Sequence, residues 1–84
     1  MTNLEYILID KGLTRRQAEV CLGVAQGLSN KAIAEKLFVE PTTIKAHLRT
    51  AYKSLGITRR YELIKLSARY LEENVKGMNG IGFQ

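Results

Sequence analysis

Two short helices joined by a tight turn are predicted from residues 29–56, which read SNKAIAEKLFVEPTTIKAHLRTAYKSLG. Ser29 is a favourable N-cap for the first helix. The apolar residues that follow it recur at helical spacing: Ile33, Ala34 and Leu37. Residues 38–40 leave room only for a tight turn before Pro41, which suits the first position of a helix because its missing N–H would be unpaired there anyway. The second helix then continues to Gly56 with its own apolar stripe: Ile44, Leu48, Ala51, Tyr52 and Leu55.

Further helices are predicted on both sides of this pair. Thr2 is followed three residues later by Glu5, and Thr14 by Gln17, which is the spacing of a capping box. Thr58 is predicted to cap a last helix. No segment alternates as a strand would, so the sequence predicts an all-α fold. We assign the chain to three parts: an N-terminal helical extension at 1–12, a helix-turn-helix domain at 13–73 and a flexible C-terminal tail at 74–84. The first helix is too short to be stable alone, so it must dock.

The composition is that of one small globular domain without the means for catalysis. At 84 residues the chain has room for one core, and its apolar fraction of 45% is ordinary. It holds one cysteine and one histidine, too few for a disulfide framework, a metal site or an enclosed active site. No apolar run approaches the roughly 20 residues of a membrane span. We therefore predict a cytoplasmic protein that is not an enzyme and has no cofactor, metal or membrane partner.

Positive charge is concentrated in the middle of the chain. The protein has 13 Lys and Arg against 8 Asp and Glu, and residues 13–65 hold ten of the bases but only four of the acids. The second predicted helix exposes a polar, cationic face: Thr42, Thr43, Lys45, Ala46, Arg49, Thr50 and Lys53. Such a face suits the DNA major groove, because cations reach phosphates and guanine edges while small residues permit close approach.

Several motifs occur in a specific order and spacing along the chain. They are Leu13-Thr14-x-Arg16-x-x-Glu19-Val20, Ala25-x-Gly27-x-Ser29-Asn30-Lys31-x-Ile33-Ala34, Thr43-Ile44-Lys45-x-His47, Leu55-Gly56-Ile57 and Arg60-x-Glu62. Over about residues 13–66 the chain resembles the LuxR-type (GerE-like) helix-turn-helix DNA-binding domain, and above all the small stand-alone regulators of that family. The resemblance implies a four-helix bundle, here with an extra short N-terminal helix. It also implies a bacterial transcriptional regulator of the nucleoid, a homodimer that binds specific double-stranded DNA with a recognition helix at about 41–55.

The resemblance and the helix positions together predict the site residues. Three residues of the recognition helix match positions that contact bases: Lys45, Ala46 and Arg49. Five residues are predicted to contact phosphates: Asn30, Lys31, Thr43, Lys53 and Arg59. The first two of these lie at a helix N-terminus, where free N–H groups and the helix dipole favour anions. Three residues of the last helix are predicted to form the dimer interface: Leu63, Ser67 and Tyr70.

Two rival functions stay open at this point. A sigma-factor-like promoter-reading domain shares the middle motif, although the helix after Gly56 argues against it. The other rival is a helix-turn-helix that binds another regulator and no longer DNA; it is favoured by Glu40, which places a negative charge where the family usually has a Ser or Thr cap. Ser54, which stands in place of a usual Lys, and the apolar N-terminal helix also favour it. RNA polymerase or another regulator is also a candidate partner of the DNA-binding form.

Most of the other polar residues considered are predicted to have structural roles. His47 and Cys21 are predicted to pack in the protein rather than bind a metal or react. Arg16 is predicted to pair with Glu19, and Arg60 with an acid. Tyr52 has two equally good interpretations, packing or contact with a phosphate.

Overall fold

The fold is all-α, as the sequence predicted. The computed structural model describes the backbone of residues 1–82 and the side chains of residues 1–74. Its helices are α1 (Asn3–Asp10), α2 (Arg15–Ala25), α3 (Asn30–Leu37), α4 (Pro41–Leu55) and α5 (Arg60–Gly82). The described backbone contains no strand. Helices α2 to α5 form the predicted four-helix bundle, and α3 and α4 with their three-residue turn form the helix-turn-helix.

The first three helices begin at the side-chain caps that the sequence predicted. The Thr2 hydroxyl accepts a hydrogen bond from the Glu5 N–H at 3.2 Å, and Glu5 Oε1 accepts from the Thr2 N–H at 2.8 Å. Thr14 and Gln17 form the same reciprocal pair at the start of α2. Ser29 Oγ accepts from a backbone N–H in the first turn of α3. Each cap satisfies donors that the start of a helix leaves unpaired.

The start of α5 differs from the prediction, because Thr58 does not occupy the cap position. Arg60 is the first helical residue, so Arg59 precedes the helix. The carboxylate of Glu62, in the first turn, accepts hydrogen bonds from the Arg59 N–H at 3.0 Å and from the Thr58 hydroxyl at 3.1 Å. A carboxylate at this position accepts several donors and is stabilised by the helix dipole, so it replaces the Thr58 cap.

The ends of α3 and α4 share a left-handed backbone conformation, but only one of them has a glycine there. Gly56 closes α4 with φ 71°, and Phe38 closes α3 with φ 59°. In both turns the next residue donates its N–H to a carbonyl five positions back, at 3.0 Å. The Phe38 side chain is 94% exposed. The helix-turn-helix therefore contains an aromatic residue in a conformation that L-residues adopt at a cost of about 1–2 kcal/mol.

One apolar core joins all five helices, and α1 is part of it. Its fully buried cluster comprises Leu4, Leu8, Leu13, Ala18, Val20, Cys21, Val24, Ile33, Ala34, Ile44, Leu48, Ala51 and Leu63. Helix α1 packs against α2 and α5. The ammonium group of Lys11, just after α1, lies 4.9 Å from the ring centre of Tyr70 on α5. The prediction that the short first helix must dock is thus confirmed, and it docks on its own domain.

The segment predicted as a tail, residues 74–84, begins inside α5. The helical backbone of α5 continues to Gly82, and the last two residues of the chain lie outside the described residues. Gly80 and Gly82 lie within this helical backbone. A glycine lowers helix stability by about 1 kcal/mol relative to alanine without forbidding the helical conformation.

Candidate nucleic-acid interface

Helix α4 has one apolar and one cationic face. Ile44, Leu48 and Ala51 are buried in the core. The opposite side is exposed and includes Thr42, Lys45, Ala46, Arg49, Thr50 and Lys53. The sequence of α4 contains no Asp or Glu, so no carboxylate of the helix opposes these cations. The three predicted base-contacting residues, Lys45, Ala46 and Arg49, therefore share one exposed surface, whereas Thr43 at its edge is half-buried.

The N-terminus of α4 lacks a side-chain cap. Glu40 precedes the helix and makes no capping hydrogen bond, and Pro41 occupies the first helical position. The Pro41 ring removes one of the unpaired donors, so the helix begins without a cap. The Glu40 side chain is exposed beside the cationic face, as the sequence predicted.

Two further groups of predicted phosphate contacts lie outside α4. Lys31 is exposed and Asn30 half-buried at the start of α3, directly after the Ser29 cap. Arg59 is exposed immediately before α5. The starts of α3 and α5 are joined by Arg60, so these groups belong to one part of the surface.

Arg60 makes contacts that the sequence did not predict. Its Nη1 donates to Asn30 Oδ1 and its Nη2 donates to the Leu28 carbonyl oxygen, each at 2.6 Å. The expectation that Arg60 pairs with an acid is wrong. Its guanidinium instead binds two neutral oxygens on either side of Ser29, because α5 begins next to the start of α3. Sequence separations of 30 and 32 residues explain why no local pattern signalled these contacts.

A shallow cleft connects these elements. It is lined by Asn30 from α3, by Lys45, Leu48, Arg49 and Tyr52 from α4, and by Arg60 from α5. Three of the six lining residues are cations and none is an acid. Burial raises the pKa of the Tyr52 hydroxyl above its ordinary value, although the positive charge of Arg60 opposes the rise. Tyr52 is half-buried, as its packing interpretation predicts, and it also lines the cleft. Its contact with a phosphate stays a prediction.

Two of the three predicted dimer contacts are wrong. Leu63 is 0% exposed and Ser67 1% exposed, so both side chains lie inside the protomer and cannot contact a second copy. Tyr70 is half-buried against Lys11. The physical reason is the docking of α5 on α1 and α2, which covers this side of α5.

The exposed surface of α5 contains an apolar stripe in addition to charged residues, and the sequence prediction missed this stripe. Tyr61, Ile64, Ala68 and Leu71 are exposed, with Ile64 at 42%. Their spacing of three, four and three residues is the heptad spacing of a helix–helix seam. That spacing was the available signal, but the neighbouring stripe at Leu63, which has similar spacing, obscured it.

The remaining predicted structural residues lie mostly where expected. Cys21 is fully buried, and burial raises the pKa of its thiol to about 12. Arg16 Nη1 lies 3.1 Å from Glu19 Oε2, which confirms that pair, and His47 is half-buried. Across the described residues, no group of three His, Cys, Asp or Glu side chains could hold a metal ion. Within the same part of the chain, no helix has the length and apolarity needed to cross a membrane.

Comparisons with known proteins agree with the helix-turn-helix geometry. The profile of the family described as "Bacterial regulatory proteins, luxR family" matches residues 11–67. The protein named "Putative HTH-type transcriptional regulator Rv0890c", from Mycobacterium tuberculosis (strain ATCC 25618 / H37Rv), is 44% identical over 57 residues. "HTH-type transcriptional regulator MalT" from Yersinia pestis (strain Pestoides F) is 40% identical over 60 residues. No solved structure matches the chain.

The similarity covers only a small part of much longer relatives. The matched segments cover 68% and 71% of this chain but only 6% and 7% of those two proteins. Family and relatives alike are regulatory proteins, which confirms the predicted class: DNA-binding, helix-turn-helix, transcriptional and not enzymatic. The chain belongs to the luxR family of bacterial regulatory proteins.

Proposed function

We propose that this domain binds specific double-stranded DNA with α4 in the major groove and so regulates transcription on the bacterial nucleoid. The observation that carries the proposal is the division of α4 into a buried apolar stripe and an exposed, acid-free cationic face. An α-helix fits the width of the major groove, where Arg and Lys donate to the O6 and N7 atoms of guanine.

The proposed contacts divide into two classes. Lys45, Ala46 and Arg49 would meet base edges, because they form the exposed centre of the α4 face. The residues around that face would bind phosphates: Asn30, Lys31, Thr43, Lys53 and Arg59. Phosphate contacts fix the register of the protein on the duplex, whereas base contacts select the sequence.

We further propose a homodimer formed by the exposed apolar face of α5. Tyr61, Ile64, Ala68 and Leu71 would meet the same residues of a second copy. A two-fold dimer presents two copies of α4 to two half-sites, and the half-site spacing then follows from the symmetry. The dimer would double the number of phosphate contacts, which suits a protomer with a net charge of only +5.

The decisive experiment selects bound sequences from a pool of random duplexes and then measures affinity for the best one across a salt series. We expect a recurring motif, arranged as two half-sites, and an affinity that falls steeply as salt rises. Failure to bind any duplex at low salt would contradict the proposal and favour the rival in which the helix-turn-helix binds a protein regulator.

A charge-matched pair of variants tests the assigned face within the same salt series. Lys31 and Lys36 are exposed lysines at opposite ends of α3, and Lys36 borders a cleft that also contains Glu5 and Glu19. Lys31→Ala should weaken binding to all sequences alike and flatten the salt slope by about one unit, whereas Lys36→Ala should leave the slope unchanged. Equal effects of both variants would mean that only the total charge matters, which contradicts the assigned face.

A further inference from the structure

The guanidinium group of Arg60 joins the start of α5 to the start of α3. Its two hydrogen bonds, each 2.6 Å long, end on Asn30 Oδ1 and on the Leu28 carbonyl oxygen. These acceptors belong to the residues immediately before and after Ser29, whose hydroxyl caps α3. Because Ser29 already caps the helix, the α3 start does not need Arg60 for that purpose, and the contact calls for another explanation.

The chemistry of the pair determines how the Asn30 side chain is turned. A guanidinium carries only donors, whereas an asparagine amide carries an acceptor oxygen at one end and an NH₂ donor at the other. Arg60 can therefore bind only the oxygen, which leaves the NH₂ group of Asn30 as its remaining polar end. Without this contact the amide could rotate and present its oxygen, which a phosphate would repel.

The surroundings of the pair match an anion. Asn30 and Arg60 line the same cleft as Lys45 and Arg49, and none of the described residues that line it is acidic. A cation in the first turn of a helix is opposed by the helix dipole, so the position of Arg60 at the start of α5 is unfavourable for α5 alone. Two things offset this cost: the two oxygens that Arg60 binds, and the negative charge of an anion bound in the cleft.

We propose that Arg60 is a positioning residue for phosphate binding, which acts through Asn30. By holding Asn30 Oδ1, Arg60 turns the Asn30 NH₂ group into a fixed donor for a DNA phosphate at the start of α3. This inference rests on the proposed DNA-binding function, and it adds to that function a residue that neither enters the groove nor needs to touch the DNA.

The test is a double-mutant cycle in DNA binding, made of the wild type, Arg60→Lys, Asn30→Ala and the double variant. Lysine keeps the charge but cannot bridge two oxygens with a planar fork. We expect Arg60→Lys to weaken operator binding roughly fivefold to tenfold when Asn30 is present, and to have no further effect once Asn30 is alanine. The salt slope should stay the same, since the charge is unchanged. Arg69→Lys, an exposed arginine on α5 outside the cleft, is the control and should change nothing.

The outcomes separate this inference from the function on which it rests. Equal losses from Arg60→Lys in both backgrounds, or no loss in either, would overturn the positioning role while DNA binding by the wild type stands. A wild type without salt-dependent duplex binding would overturn the proposed function itself, and the inference with it. Thermal melts of all four proteins show whether each is folded at the temperature of the binding assay.

A second measurement uses the unaltered protein, so it does not depend on the folding of any variant. The side-chain NH₂ group of Asn30 gives its own pair of signals in an ¹⁵N–¹H correlation spectrum. We expect this pair to shift when operator duplex is added. Signals that stay in place while the backbone amides of α4 shift would show that the NH₂ group does not meet a phosphate, which would overturn the inference.

Discussion

Helices α4 and α5 both bury an apolar stripe, but their outer faces differ in chemistry. The outer face of α4 carries Lys45, Arg49 and Lys53, together with small polar residues. The outer face of α5 carries an apolar stripe beside its charged residues, so this helix has two apolar stripes, one buried and one exposed: Tyr61, Ile64, Ala68 and Leu71. A sequence pattern can tell which side of α4 is buried, because only one side is apolar. For α5 the same pattern identifies two apolar stripes and does not tell which of them is buried.

This difference explains why the three residues predicted to contact bases lie on an exposed face of α4, whereas two of the predicted dimer residues are buried. Hydrophobic spacing identifies a stripe but not the surface that it meets. On α5 the stripe through Leu63 and Ser67 packs inside the protomer, and the stripe through Ile64 is exposed.

The largest expected effect comes from placing a charge on the buried stripe of α5. Leu63→Asp should destabilise the protein by about 4 kcal/mol or more, because it removes a core side chain and buries an unpaired carboxylate. That is most of the stability of a domain of this size. Circular dichroism at 25 °C should show a largely unfolded chain. A cooperative melt close to that of the wild type would contradict the burial of Leu63.

Most of the fold could be predicted from the sequence, because its signals are local. The caps at Thr2, Thr14 and Ser29 each depend on residues three positions apart, and these predictions are confirmed. The cationic face of α4 is equally local, since it follows from residues on one helix. These signals suffice for the helices, their order and the surface that would meet DNA.

What could not be predicted depends on how separate helices meet. Arg60 contacts residues about 30 positions earlier in the chain, and Leu63 is buried because α1 and α2 cover one side of α5. The predicted Thr58 cap of α5 was also wrong, although its signal was local, because the Thr58 hydroxyl and the Arg59 N–H both donate to the Glu62 carboxylate. Long-range packing and competition between neighbours therefore set the limits of prediction here.

The adjacent position, Ile64, should behave in the opposite way to Leu63. Ile64→Asp leaves the core intact, so the free energy of unfolding should stay within about 1 kcal/mol of the wild-type value. The charge should disrupt the proposed seam between two copies of α5, which gives monomers in sedimentation. Affinity for a two-half-site duplex should fall by about a hundredfold, because the second α4 no longer binds as part of one unit. An unchanged dimer would remove this face from the interface.

On the outer face of α4, substitution of Arg49 should have the most specific effect on DNA binding. Arg49→Ala should cost about 1–3 kcal/mol of binding free energy at the best site and relax the preference at one base pair per half-site. Arg49→Lys should recover only part of the discrimination, since an ammonium group lacks the planar fork that fits a guanine edge. Binding is measured over duplexes that carry every single-base change. Equal loss for all duplexes would show that Arg49 contacts the backbone.

The smallest expected effect concerns Ser67, on the buried stripe of α5. Its hydroxyl is buried and has no hydrogen-bond partner among the residues that the structure describes. An unpaired buried hydroxyl is unfavourable, so Ser67→Ala should stabilise the protein by about 1 kcal/mol, which raises the melting temperature by about 4–8 °C. Thermal unfolding followed by circular dichroism measures the change.

Two other serines separate this effect from the general preference of helices for alanine. Ser54 is exposed on α4, so Ser54→Ala changes only helix propensity, by less than about 0.7 kcal/mol. Ser29 caps α3, so Ser29→Ala should lower stability by about 1 kcal/mol. The gain from Ser67→Ala should therefore exceed that from Ser54→Ala and be opposite in sign to the change from Ser29→Ala. A Ser67→Ala protein less stable than the wild type would mean that the hydroxyl is satisfied in solution, so that the buried face of α5 is less apolar than its packing against α1 and α2 indicates.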